Sequence, residues 1–149
     1  MPRILAVDWG ERRIGLAVCD PTGTIASGLD TLVVRAPTEV PAKVAAIAAE
    51  LEADSIVVGL PLLLSGERGT AAESAERFSE LVRAASGLPV HLYDERLTSA
   101  LSQRRMHERG ERVGRDKTRV DQGAAVVLLE SWMLKLESDR RRAEAEGTP

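Results

Sequence analysis

The sequence predicts a single α/β domain, with a mixed β-sheet of five strands, three antiparallel and then parallel, flanked by helices. Three observations carry that expectation. Up to Val34 the chain has three short runs rich in branched apolar residues, the first two closed by turn signals. Two later branched runs each follow a stretch with helical spacing, the alternation that builds parallel strands. At 149 residues, 44% of them hydrophobic, the chain matches one globular domain around one core.

Ile4 to Val7 is the first run, ended by Asp8-Trp9-Gly10, and Arg13 to Cys19 is the second, ended by Asp20-Pro21-Thr22-Gly23. Thr24 to Val34 completes an opening meander, with a bend expected at Gly28. From Val40 to Leu51, the positions Val40, Val44, Ala45, Ile47, Ala48 and Leu51 recur at helical spacing, with Thr38 as the expected cap. Ser55 to Leu60 is an uninterrupted branched run, as in a central strand buried on both faces.

Thr70 and Glu73 have capping-box spacing and open a helix whose inward stripe is Ala71, Ala75, Phe78, Val82 and Ala85. Gly87 and Pro89 stop it. Val90 to Tyr93 forms the fifth strand and delivers Asp94 and Glu95 to its carboxyl end. Leu97 to Glu108 reads as a polar helix, and 110–119 as a basic, glycine-containing mobile stretch. The last helix starts near Thr118 and runs through Ala124, Val127, Leu128, Ser131 and Leu134. Residues 1–137 thus form the domain, and 138–149 a charged, disordered tail.

Charged residues make up 29% of the chain and the net charge is −3, which argues against disorder and against a globally basic nucleic-acid binder. Any electropositive surface is therefore local. The one cysteine, Cys19, lies in an apolar run and has no internal partner, which fits a reducing cytoplasm. Met1-Pro2-Arg3 is followed by only four apolar residues before Asp8, too few for a signal-peptide core or a membrane span.

Asp8 and Glu95 each close a strand, and the carboxyl ends of parallel strands are where catalytic side chains collect. Asp121 lies at the start of an otherwise apolar helix. Taken singly, each has an ordinary explanation as a turn residue or a helix cap. Converging on one sheet edge, the three would suit two divalent cations roughly 3.5–4 Å apart. Hard oxygen donors select magnesium or manganese; zinc is disfavoured, because His91 and His107 are the only histidines. Asp94 is the rival of Glu95, since adjacent residues of an extended chain point to opposite faces.

Four blocks carry a family resemblance over Ile4 to about Met133. They are Ala6-Val7-Asp8-Trp9-Gly10-Glu11-Arg12-Arg13-Ile14-Gly15-Leu16-Ala17, Val57-Val58-Gly59-Leu60-Pro61, Asp94-Glu95-Arg96-Leu97-Thr98 and Asp121-Gln122-Gly123-Ala124-Ala125. In that order they resemble the YqgF family, also called RuvX or pre-16S ribosomal RNA nuclease, within the ribonuclease H-like and Holliday-junction-resolvase-like superfamily. The resemblance implies a ribonuclease H-like fold and a metal-dependent nuclease. It makes Asp8, Glu95 and Asp121 the catalytic metal ligands of a site for two Mg2+ or Mn2+ ions, with Arg13 and Arg96 near the phosphate.

Two features depart from the family's usual opening block, an extra acid at Glu11 and a bulky Trp9, which is read as partly buried packing ahead of base stacking. Between Arg104 and Arg119, seven basic residues face three acidic ones, a local excess suited to phosphate backbone. Arg105, Arg112, Arg115 and Lys117 are its expected substrate contacts. Arg140-Arg141-Arg142 is neutralised by Glu137, Asp139, Glu144 and Glu146.

The expected activity is phosphodiester hydrolysis in 5′ processing of pre-16S ribosomal RNA, with the pre-ribosome as a partner and the chain a monomer or homodimer. One alternative is a Holliday junction resolvase, which needs two symmetry-related sites and so a dimer. Another is a ribosome-associated or nucleic-acid-binding module without turnover. The actin, Hsp70 and sugar-kinase ATPase fold also opens with an aspartate-glycine turn, but it needs two domains around its nucleotide.

Overall fold

A computed structural model describes residues 3–9, 12–60, 69–94 and 117–147, with backbone alone at 60, 71 and 117–122. Its strands are β1 (Ile4–Asp8), β2 (Arg13–Cys19), β3 (Ala26–Val33), β4 (Ser55–Leu60) and β5 (Val90–Asp94). The helices are α1 (Val40–Glu50), α2 (Thr70–Ser86) and α3 (Lys117–Glu146). The expected helix at Leu97–Glu108 and the basic stretch up to Asp116 lie outside the described residues.

The five strands form one sheet in the order β3-β2-β1-β4-β5. β1 pairs antiparallel with β2 and β2 with β3, while β4 runs parallel to β1 and β5 parallel to β4. The mixed sheet predicted from the sequence is therefore the one observed, and it is a ribonuclease H-like sheet.

β4 and then β5 are each added on the same side of β1. With right-handed crossovers, α1 and α2 must then cover the same face. They do: one core cluster joins Leu5, Val7, Ile14, Leu16, Ile56, Val58 and Val90 to Val40 and Val44 of α1 and Phe78 and Val82 of α2. The opposite cluster joins Ile4, Ala6, Ala17, Cys19 and Val57 to Ala125, Leu128, Leu129 and Trp132 of α3. Alternate residues of each inner strand feed opposite clusters, as pleating requires. Each fully buried Val, Leu or Ile contributes roughly 1.5–3 kcal/mol over its exposed state, so both faces are strongly specified.

Local details depart from the sequence expectations for identifiable reasons. Thr38 does not cap α1; it lies in a 3-10 turn, Pro37–Glu39, and Glu39 stands at the cap position without a side-chain hydrogen bond. Thr70 is the first residue of α2, one position too late to cap it, because Gly69 occupies the cap. The buried stripe of α2 is Ala72, Ala75, Phe78, Ser79 and Val82, and Ala85 is exposed. The Ser79 hydroxyl is tolerated there because it donates to the Ala75 carbonyl at 2.9 Å. Gly87 ends α2 as expected, at φ 71°, where a residue without Cβ has no steric penalty.

The bend in β3 falls elsewhere than Gly28. Ile14 pairs with Leu32 and Leu16 with Leu29, so β3 spends an extra residue near Asp30-Thr31. Gly28 sits in regular register opposite Ala17. The charged segment after Ser138 is also not a separate tail: α3 continues through Glu146. Ion pairs one turn apart line it, Lys135–Asp139 at 2.8 Å, Glu137–Arg140 at 2.6 Å and Glu137–Arg141 at 3.1 Å. Pairs at this spacing stabilise a helix by a few tenths of a kcal/mol each. No helix among the described residues is long and apolar enough to cross a membrane.

Candidate active site

The parallel strands bring their carboxyl ends to one edge of the sheet. Val7 is level with Val58, and Gly59 is level with Tyr93, so Asp8 at the end of β1 stands beside the ends of β4 and β5. Asp8 is half-buried. It shares its face with Ile4 and Ala6, four and two residues back, and that is the face covered by α3.

Two glycines flank this carboxylate. Gly15 of β2 is its partner across the antiparallel pair, and Gly59 of β4 follows Val58, the partner of Val7. Neither position places a side chain beside Asp8 on that face. Gly15 interrupts the branched run of β2, and Gly59 that of β4. Those interruptions were visible in the sequence, but their alignment on either side of Asp8 depends on strand register.

Arg13 opens β2, two residues before Gly15, and is exposed. Alternation puts it on the face of Gly15, Ala17 and Cys19, the same face as Asp8. The structure thus places Asp8 and Arg13 at one end of the sheet and on one side of it.

Strand parity places Asp94, the acid directly after Tyr93. His91 and Tyr93 face α3, with ring centroids 5.2 Å and 5.5 Å from that of Trp132. Val90 belongs to the opposite cluster and Leu92 packs against it. Asp94 has the parity of Val90 and Leu92, so it lies on the face away from Asp8. Glu95, Arg96, Arg105, Arg112 and Arg115 lie outside the described residues.

Asp121 is the fifth residue of α3, and only its backbone is described. Counting by helical repeat, position 121 shares a stripe with Ala125, Leu128, Leu129 and Trp132, all buried against the Asp8 face of the sheet. Lys117 is the first residue of the same helix. Among the described residues no group of three His, Cys, Asp or Glu side chains is close enough to hold a metal ion.

Trp9 leaves the sheet toward α2. It is half-buried and stacks on Phe78, with ring centroids 5.8 Å apart and planes at 27°, which is the packing role expected of it.

The family model described as "RuvX: Holliday junction resolvase" matches residues 2–135. The chain belongs to the RuvX family. Among RuvX relatives, a protein of Chloroflexus aurantiacus named "Putative pre-16S rRNA nuclease" is 36% identical over 140 residues, spanning 94% of this chain and 92% of the relative. One of the same name from Mycobacterium tuberculosis is 39% identical over 147 residues, 98% of this chain and 84% of the relative.

Solved structures extend the likeness of this RuvX chain at the level of fold. Thermus thermophilus RuvC in complex with a Holliday junction substrate superposes with a TM-score of 0.57 at 16% identity, over 89% of this chain and 96% of that one. The fowlpox virus Holliday junction resolvase does so with a TM-score of 0.56 at 14% identity, over 90% and 99%.

Proposed function

We propose that this RuvX-family chain is a metal-dependent nuclease that hydrolyses phosphodiester bonds in ribosomal RNA precursors at the 5′ side of 16S RNA. One observation carries the reading. Asp8 ends the central strand between two glycine positions, on the face that α3 covers with the stripe containing position 121. Neither glycine sets a side chain beside that carboxylate, which is where a phosphate group and further acidic ligands are proposed to bind.

Asp8, Glu95 and Asp121 are the proposed ligands. The donor set fits magnesium or manganese, since it is entirely carboxylate oxygen. The parity of β5 supports Glu95 over Asp94, because it sets Asp94 on the face away from Asp8. Bound there, two such ions would activate a water and stabilise the leaving oxygen.

The chain's own residues bind and orient the substrate. Arg13, exposed on the Asp8 face, is placed to hold a non-bridging phosphate oxygen. Arg96, Arg105, Arg112, Arg115 and Lys117 are proposed to track the flanking backbone, a sequence-independent contact that makes binding salt-dependent. Trimming an RNA end requires one such site, whereas resolving a junction requires two related by symmetry. The pre-16S names of the relatives support the first.

The test offers the protein, with Mg2+ or Mn2+, a 5′-extended 16S precursor fragment and a four-way DNA junction. Shortening of the RNA leader by the native protein but not by Asp8→Asn is expected. Paired nicks in the junction with the RNA untouched would reverse the assignment to resolvase. Binding of both without cleavage would leave a non-catalytic module.

A further inference from the structure

On the face of the sheet away from Asp8 there is a cavity of about 320 Å³, lined by Trp9, Val40, Pro41, Phe78 and Leu81, with Arg77 and Ser74 as polar members. It is ample for one nucleobase. Leu81 is 57% exposed and adds apolar surface at the edge of the cavity. Arg77 is also exposed, so its guanidinium is available to an anion. The aromatic wall is built into the fold, since Trp9 and Phe78 stack on each other.

Trp9 directly follows Asp8, so the cavity wall and the proposed catalytic carboxylate are adjacent residues of one strand end. By alternation their side chains leave the chain on opposite sides. A nucleic-acid strand crossing the sheet edge can therefore place a phosphate at Asp8 and turn the neighbouring base over the edge. We propose that this cavity is a nucleobase subsite in which a base next to the scissile phosphate, unstacked from its neighbours, lies against Trp9, which the buried Phe78 backs, while Arg77 holds its phosphate. The proposal rests on the nuclease reading for its substrate but not for its test. Stacking on an aromatic wall is worth roughly 1–3 kcal/mol per base and tolerates any base, so the subsite fixes the position of the strand without reading its sequence.

The chain has two tryptophans, which makes the test direct. Trp132→Phe leaves Trp9 as the sole reporter. That substitution discards an indole N–H that is buried without a hydrogen-bond partner among the described residues. The variant is titrated, in chelator to prevent cleavage, with an end-labelled single-stranded oligonucleotide and with an abasic strand of equal length. Trp9 emission reports the base, and label anisotropy reports binding. Quenching by the base-bearing strand only is expected, with Arg77→Ala weakening that strand's binding about tenfold.

Binding of both strands without quenching, or equal quenching by both, overturns the subsite and leaves the nuclease reading standing. Quenching by the base-bearing strand in a protein that, given Mg2+ or Mn2+, cleaves neither the RNA nor the junction keeps the subsite and removes the nuclease reading. If neither strand binds, both fall. Native protein compared with Trp9→Phe gives the same readout should Trp132→Phe not fold: quenching must vanish with Trp9.

Discussion

Asp8 and Gly15 face each other across β1 and β2, so the carboxylate proposed to hold metal has, on its antiparallel side, a partner with no side chain. Gly59 leaves the parallel side equally bare. On this face neither neighbouring strand carries a side chain level with Asp8.

A methyl group at either glycine is expected to impair cleavage more than folding. Gly15→Ala and Gly59→Ala each add one methyl beside Asp8, and misplacement of a reacting group by about 1 Å costs on the order of 100-fold in rate. Single-turnover cleavage alongside thermal melting checks this. Rates within threefold of the native protein would show that the space beside Asp8 is unused.

The turn between β2 and β3 gives a pH dependence. The Asp20 carboxyl is lowered to about 2, first by the Thr22 hydroxyl and then by the backbone N–H groups of Ile25 and Thr24, which donate to Oδ1 at 2.8 and 2.7 Å. An unfolded aspartate titrates near 3.9. A depressed folded value stabilises the fold above about pH 4, and that stabilisation is lost as pH falls through about 2. The melting-temperature gap between the native protein and Asp20→Ala should narrow over that range. A gap that widens on acidification would contradict the assignment.

Glu52 is the only non-glycine residue with positive φ among the described residues, at 56°. It follows α1, where Glu52 N–H donates to Ala49 and Ala53 N–H to Ala48, the paired bonds of a Schellman cap. The left-handed conformation costs a side-chain-bearing residue roughly 1–2 kcal/mol, partly offset by glycine's greater entropy loss. Glu52→Gly should therefore raise stability by about 0.5–1 kcal/mol in urea unfolding. A decrease would show that Glu52 makes a compensating interaction.

Much of this molecule was legible in its sequence, and the missing parts share a cause. Runs such as Ile4–Val7 and Ser55–Leu60 announce strands because burial demands branched apolar residues, and the order of elements then fixes the sheet. The cap of α2 was misassigned because Thr70-x-x-Glu73 is a local pattern that cannot reveal Gly69 already at the cap. Segment 138–146 read as a tail because its composition is charged, whereas its one-turn ion pairs sustain the helix. Asp8 could be read as a strand-end acid; the glycines level with it could not, since they depend on which residues of three strands meet. The parity that sets Asp94 on the far face is likewise a property of β5 within the sheet.

The most direct test is the single-turnover cleavage rate, with Mn2+ and the 5′-extended RNA, of Asp8→Asn, Glu95→Gln and Asp94→Asn against the native protein. With Asp94 on the face away from Asp8, Asp8→Asn and Glu95→Gln are each expected to lose on the order of 1,000-fold, the scale of a lost charge-stabilising group in an active site, while Asp94→Asn stays within about tenfold. Loss confined to Asp94→Asn, with Glu95→Gln near native, would place the site's second carboxylate on the other face and contradict the account.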